Sequence, residues 1–479
     1  MTYDIIIIGG GLGGLTAGAK LAKEGKTVLL LEQHDRPGGC ATTFKRKDFT
    51  MEVGLHEMDG LHPTDGKHKI FNELGVYDDV EFLPLPEFYR FKNERLDLVM
   101  PHNKEKAIAI LNENFPGQAD GIDTYFERLM NARRINVLER DKPNISVGEY
   151  LDSIFTNEEL KLFLLGNLGY FHDDPYTLSL RYFSVAEGAY FQGRANYIKG
   201  GSQKLSDKLM NIIRQNGGKV LLSHKVSSIS TSGDKVIEIS FKNVLPGAHS
   251  EIKATAKEYI ANAALANIAD MLDKEHGSAL KKQLETHEIG ASLLTVYFGF
   301  SKPLKEIGNQ YYSTFVYDES VRCQKDILAN NHGDFSVRSY TFVDYSQVDA
   351  QLCPADKGVG AICAIDYTAD WDGLSREEYK QKKKEVGEIF AERLNKLIPG
   401  SKELIEHIEV ATAKTVRRYT LNPQGAVYGF AQNPGRVPLN GIEGIENFHV
   451  ASAWGKFGGG FSGAIYSGYM TALDILRLK

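Results

Sequence analysis

The chain has 479 residues, enough for two or three domains, and its 42% hydrophobic and 25% charged content is ordinary for a globular protein. A formal net charge of −6 gives no electrostatic case for nucleic acid, and no apolar run approaches the roughly 18 residues a membrane-spanning helix needs. Four cysteines, Cys40, Cys323, Cys353 and Cys363, without CxxC spacing or a histidine partner motif, indicate neither a metal site nor a disulfide framework.

The first element is a β-branched run, Ile5 to Ile8, too short for a core helix and suited to a buried parallel strand. It leads into Gly9-Gly10-Gly11-Leu12-Gly13-Gly14. In this dinucleotide fingerprint Gly9 permits a tight turn, Gly11 lets backbone approach a pyrophosphate, and Gly14 lets helix pack on strand. A helix from Leu12 to about Glu24 would aim its first amides, those of Leu12 and Gly13, at the anion. A second strand, Thr27 to Leu31, delivers Glu32 as the acceptor for the adenosine ribose hydroxyls. Arg36-Pro37-Gly38-Gly39 follows and resembles the second glycine pair of glutathione-reductase-like flavoproteins, which selects FAD over NAD. Gln33, Cys40, Thr42 and Thr43 flank these residues and join them as cofactor-lining candidates.

Thr42 to Gly60 reads as a short hairpin, ending at Gly54 and carrying His56 just beyond. Residues 61 to 194 change character. Helical stretches at Ala107 to Asn114 and Leu151 to Leu165 are interleaved with aromatics, among them Tyr170, Tyr182 and Tyr190, as expected of a substrate domain or simply of a core. A helix opened by Gly200-Gly201-Ser202, strands at Lys219 to Leu222, Val226 to Ser230 and Val236 to Phe241, and a strand ending in Ala263 return to the cofactor domain. Strands at Leu293 to Phe300, Phe335 to Val343 and Ala361 to Tyr367, with a helix from Glu377 to Leu397, resume the other one.

Near the end, Phe448 to Ala451 is a strand, and Gly460 to Leu478 a helix. Gly458, Gly460 and Gly463 repeat the glycine spacing, but too few residues follow for another strand and ribose-binding acid. The context instead predicts a helix N-terminus, with Gly459, Gly460, Phe461 and Ser462, facing an anion.

The order of elements resembles the phytoene desaturase superfamily. The segments Gly38 to Phe44, Val53-Gly54-Leu55-His56 and Val450 to Gly468 look most like its retinol saturase and carotenoid isomerase branch. The resemblance implies an α/β fold: a Rossmann-like, glutathione-reductase-like FAD-binding domain (1–60, 195–290 and 425–479) with an inserted α+β substrate domain (61–194 and 291–424). It further implies non-covalent FAD and saturation or cis/trans isomerisation of C=C bonds in an apolar isoprenoid polyene. It places the Val226 backbone at the adenine and the C-terminal helix at the flavin pyrimidine. One departure is Cys40, where amine oxidases and bacterial phytoene desaturases usually carry Arg. His56 is the candidate acid, since saturation needs a proton beside the hydride and a histidine near its unperturbed pKa could supply it. Tyr428 is second.

With no second nucleotide domain in view, electrons would pass to or from a separate donor or acceptor, or cycle within the flavin in an isomerase. No metal is expected. The reading of the N-terminus gives no secretory signal, so a cytoplasmic location is expected, with peripheral membrane contact left open. Rival readings keep the fold and change the chemistry: a polyene desaturase, an amine-oxidase-like enzyme, or a flavin-free prenyl-binding module.

Overall fold

The computed structural model describes residues 2–247 and 250–478. Thr2–Ile8 is a strand because its β-branched run can be buried on both faces, and Ile5 to Ile8 are almost wholly buried. It pairs in parallel with Val28–Leu31 on one side and Glu251–Ala261 on the other. Lys219–Leu221 extends the parallel sheet beyond Val28–Leu31, and Ile445–Val450 pairs in parallel with the end of Glu251–Ala261. The other half of that eleven-residue strand joins an antiparallel meander with Lys235–Asn243 and His224–Ser232. Short Gly441–Ile442 completes eight strands.

Two helices, Leu12–Lys23 and Gly460–Arg477, follow the first and last parallel strands and lie against each other. Glycine makes the approach possible: a Cβ on Gly468 would lie 2.1 Å from the Gly13 carbonyl oxygen, far inside van der Waals contact. The two helix N-termini are thereby brought to one edge of the sheet.

A second sheet of seven strands runs Ile405–Ala411, Ser292–Phe300, Gly358–Asp366, Tyr340–Asp344, Ser313–Val316, Tyr89–Lys92 and Asp97–Met100. All neighbours are antiparallel except Ser313–Val316 with Tyr89–Lys92. Helix Arg376–Leu397 packs Val386, Phe390 and Leu394 behind it.

Two expected elements differ. The single helix over Leu151 to Leu165 is two, Val147–Ile154 and Glu158–Leu164, because the Asn157 side chain accepts from the Leu160 N–H and starts a new N-terminus. The strand expected from Phe335 begins only at Tyr340. The intervening Arg338 is buried, its guanidinium donating to the Gly333 and Ile365 carbonyls.

Candidate active site

A cavity of about 1570 Å³ runs from the glycine loop of the first sheet to the inner face of the second. That exceeds the roughly 300–1,000 Å³ of a usual small-molecule site, leaving room for a cofactor and a further ligand. Gly9, Gly11, Leu12, Glu32, Gln33, Arg36, Gly38 and Gly39 line one end. Gly9 has φ +101°, which favours glycine, and its N–H donates to the Leu31 carbonyl at 2.8 Å. The Gly38 N–H donates to the Gly10 carbonyl at 2.7 Å, tying the second glycine pair to the first. Glu32, almost buried, accepts from the Gly10 N–H at 2.7 Å and the His34 N–H at 2.9 Å. The same carboxylate that faces the cavity therefore also shapes the loop.

The structure supplies a reason for the glycines that motif reasoning missed. Asn262, at the carboxyl end of Glu251–Ala261, donates through its side chain to the Gly9 carbonyl at 3.1 Å. A Cβ on Gly11 would lie 2.9 Å from Asn262 Nδ2. Its position just past a central parallel strand is the signal that could have flagged it. Gly13 and Gly14 are not among the residues that line the cavity; a Cβ on Gly13 would meet the Ala451 carbonyl oxygen at 2.1 Å and one on Gly14 the Gly9 carbonyl oxygen at 2.3 Å. Their small size serves packing.

Along the cavity lie Cys40, Thr42 and Thr43, then Val226 and Ala263, and from the C-terminal segment Gly459, Gly460, Phe461 and Ser462. The Thr42 hydroxyl donates to Gln203 and the Ser462 hydroxyl to Asp59, which is ion-paired with buried Lys67 at 2.8 Å. The Arg36 guanidinium donates to the Thr43 carbonyl at 3.1 Å. Helices Leu12–Lys23 and Gly460–Arg477 both begin at the cavity, each after a glycine N-cap with no side-chain cap. Uncapped amides at two helix N-termini, with Glu32 beside one, fit a pyrophosphate, a ribose and an electron-rich pyrimidine ring.

His56 follows the hairpin formed by Thr43–Arg46 and Phe49–Glu52 rather than lying in it. Its backbone carbonyl accepts from the Tyr312 hydroxyl at 2.6 Å, and the Leu55 carbonyl accepts from Tyr345 at 3.0 Å. Its Nδ1 lies 3.3 Å from the Tyr170 hydroxyl and its Nε2 lies 3.2 Å from Cys363 Sγ. Burial lowers its pKa to about 4. The expectation of a histidine near its unperturbed pKa is therefore corrected: the ring is neutral at pH 7, with both nitrogens engaged. Tyr428 lines the cavity where Gly459 approaches it, a Cβ on Gly459 falling 2.4 Å from its Cα, and burial raises its pKa well above the usual phenol value. Burial also raises the Cys40 thiol to about 11, so it stays protonated and unreactive.

Past His56 the walls turn apolar and aromatic, with Tyr170, Phe171, Leu293, Phe315, Tyr340 and Ile365. They come from both parts of the second sheet and from the helical segment before it. Among the described residues no group of side chains could hold a metal ion.

The chain is 26% identical to all-trans-retinol 13,14-reductase of Danio rerio, over 89% of this chain and 77% of that protein. It is 25% identical to prolycopene isomerase 2, chloroplastic, of an Oncidium hybrid cultivar, over 98% and 83% respectively. An oxidoreductase structure from Methanosarcina mazei superposes with a TM-score of 0.67 at 18% identity, covering 99% of this chain and 100% of that one, which is a likeness of fold. The family profile described as flavin containing amine oxidoreductase matches residues 12–476. The glycine cradle, Glu32 and the paired helix N-termini fit the FAD this family carries, and the chain belongs to the flavin-containing amine oxidoreductase family.

Proposed function

We propose that this FAD-dependent oxidoreductase acts on a C=C bond of an apolar isoprenoid polyene, retinoid-like or carotenoid-like, by saturation or cis/trans isomerisation. The observation that carries the reading is the aromatic, apolar chamber continuing from the cofactor end, in a chain similar to proteins named for a retinol reductase and a prolycopene isomerase. A polyene offers no charge to pair with, and rings such as Phe315 and Tyr170, packed edge-on at 5.2 Å between centroids, suit its flat π-surface. The residues assigned to the cofactor, and the division into 1–60, 195–290 and 425–479 against 61–194 and 291–424, belong to the same proposal. The division is supported by strand membership in the two sheets.

When bound, FAD supplies hydride acceptance and donation at its ring. The chain does the rest. Glu32 and the glycine loop fix the adenosine end, and the amides at Gly460 and Phe461 stabilise negative charge at the other. Aromatic walls exclude water and hold the chain of double bonds against the ring face. Neutral His56, pinned by Tyr312, Tyr170 and Cys363, closes the wall between the two ends and adds no charge to it.

No helix among the described residues is long and apolar enough to cross a membrane. Because polyenes are sparingly soluble, collection from a lipid surface by a cytoplasmic, peripherally bound enzyme and an external electron donor or acceptor are included in the proposal. The test is extraction of the lipids that copurify with the protein, followed by mass spectrometry and by incubation of each with dithionite-reduced enzyme. Recovery of a polyene that the enzyme saturates or isomerises supports the reading; recovery of none, with retinol and carotenoids inert, contradicts it.

A further inference from the structure

One rim of the cavity is built on helix Leu180–Gly193, whose Tyr182, Val185, Ala186 and Ala189, spaced as one helical face, line it. Arg181 lines the cavity as well, and its guanidinium donates to the Glu139 carbonyl and, at 2.7 Å, to the Lys142 carbonyl. The Asn136 side chain returns a bond to the Arg181 carbonyl at 3.0 Å. Residues 132–142 are thereby fixed on the rim, and Arg133 near their start lines the cavity too. One turn on from Arg133 and Arg134 stand Val137 and Leu138, 68% and 72% exposed, the two most exposed large aliphatic side chains among the described residues. The third, Val437 at 62%, lies in the adjoining loop: Asn144 donates to the Pro434 carbonyl at 3.1 Å, and Arg436 donates to the Gly455 carbonyl beside cavity-lining Lys456. Single exposed aliphatics scattered over a surface need no explanation, but the three most exposed gathered at one cavity rim mark a contact face.

Charge indicates what that face meets. Around the aliphatic pair lie Arg133, Arg134, Arg140 and Lys142 against two acids, Glu139 and Asp141. Glu139 is already held by buried Arg128 at 2.7 Å, and Arg134 has no acidic partner among the described residues. Arg181 and Lys456 add to the positive edge. The chain as a whole carries −6, so this rim is positive against a negative average. Aliphatic side chains ringed by arginine and lysine suit a lipid surface with anionic headgroups: the apolar tips enter the acyl boundary while the cations stay at the phosphates. We propose that residues 133–142 and Val437 dock on an anionic lipid surface and set this rim on the membrane, so that an apolar ligand passes from the acyl layer into the chamber without crossing water. The nature of that ligand rests on the polyene reading; the docking does not.

Flotation of the holoenzyme with phosphatidylcholine vesicles containing phosphatidylglycerol, or with phosphatidylcholine alone, reads the docking without any polyene. Wild type should float with the anionic vesicles, at least about tenfold less with the neutral ones, and less as salt is raised. Val137→Asp with Leu138→Asp should cut binding to anionic vesicles at least about tenfold. Arg134→Glu with Arg140→Glu should cut it at least about twenty-five-fold, at about fivefold for each cation lost. Ile237→Asp, at an exposed position on the antiparallel meander, should change nothing. All five side chains are exposed, so flavin content and melting temperature should stay at wild-type values. With polyene carried in anionic vesicles the aspartate pair should turn over at least about tenfold more slowly, yet match wild type on the same polyene in detergent micelles. No vesicle binding by wild type, equal binding by every variant, or binding indifferent to headgroup charge and salt overturns the proposal. A wild-type dimer that the aspartate pair makes monomeric, with vesicles ignored, assigns the face to a second copy and overturns it too. Vesicle binding that follows the variants while every polyene stays inert upholds the docking face and counts against the polyene reading alone.

Discussion

At the end of the cavity proposed for the dinucleotide, the backbone would do the recognising: Gly9 at positive φ, uncapped amides at Leu12 and Gly460, and one carboxylate, Glu32, held by two N–H groups. At the aromatic end side chains do it, contributed by segments as far apart as Tyr170, Phe315 and Ile365. The first end tolerates almost no change of residue because atoms of the chain itself occupy the space. The second is a matter of shape, ring faces and proton placement, where changes are graded.

The contrast is broken most severely by Gly468→Val. Its side chain would enter the Gly13 carbonyl, forcing the two cofactor-facing helices apart at a cost of at least about 3 kcal/mol, and flavin should be lost with the fold. Retention of a wild-type melting temperature and flavin content would show that the helix contact is dispensable. Glu32→Ala comes next. It removes hydrogen bonds to a charged acceptor, each worth roughly 1.5–3 kcal/mol, so FAD affinity by equilibrium dialysis should fall about tenfold to a hundredfold.

At the aromatic end the effects are smaller and depend on pH. Glu187 has its folded pKa raised, so the native state binds the extra proton between about 4.5 and 8 and stability falls as pH rises through that window. Glu187→Gln keeps the acceptor for Asn167 and should stabilise the protein by on the order of 2 kcal/mol at pH 8, with little gain near pH 4.5. Melting temperatures across that range check this. His56 has the opposite sign. Its folded pKa is depressed to about 4, so the unfolded chain binds the proton first and stability falls on acidification from about 6.5 to 4. His102 is lowered to about 4 too, so His56→Gln should reduce that acid slope by about half rather than abolish it, with turnover kept within about tenfold. The smallest effect belongs to Cys40→Ser, which should change turnover only a few fold because the thiol is already neutral.

Legibility in the sequence follows the same contrast. The run from Ile5 to Glu32 was readable because a tight turn, a close helix and a ribose acceptor each demand a residue type at a set spacing. The C-terminal glycines were readable for the same reason, as the start of the helix Gly460–Arg477 at the cavity. At Gly13 the structure adds a packing demand that spacing could not show, since a Cβ there would meet the Ala451 carbonyl oxygen at 2.1 Å. Asn157 broke an expected helix through a capping bond that competes with apolar periodicity.

The most direct test of the central claim is an anaerobic single turnover of the fully reduced enzyme, following flavin absorbance and product mass together. The account predicts that a long polyene is saturated as the flavin reoxidises, or isomerised with the flavin unchanged at the end, while small amines leave oxidised enzyme unreduced. Reduction of the oxidised flavin by a small amine, with every polyene recovered intact, would contradict it.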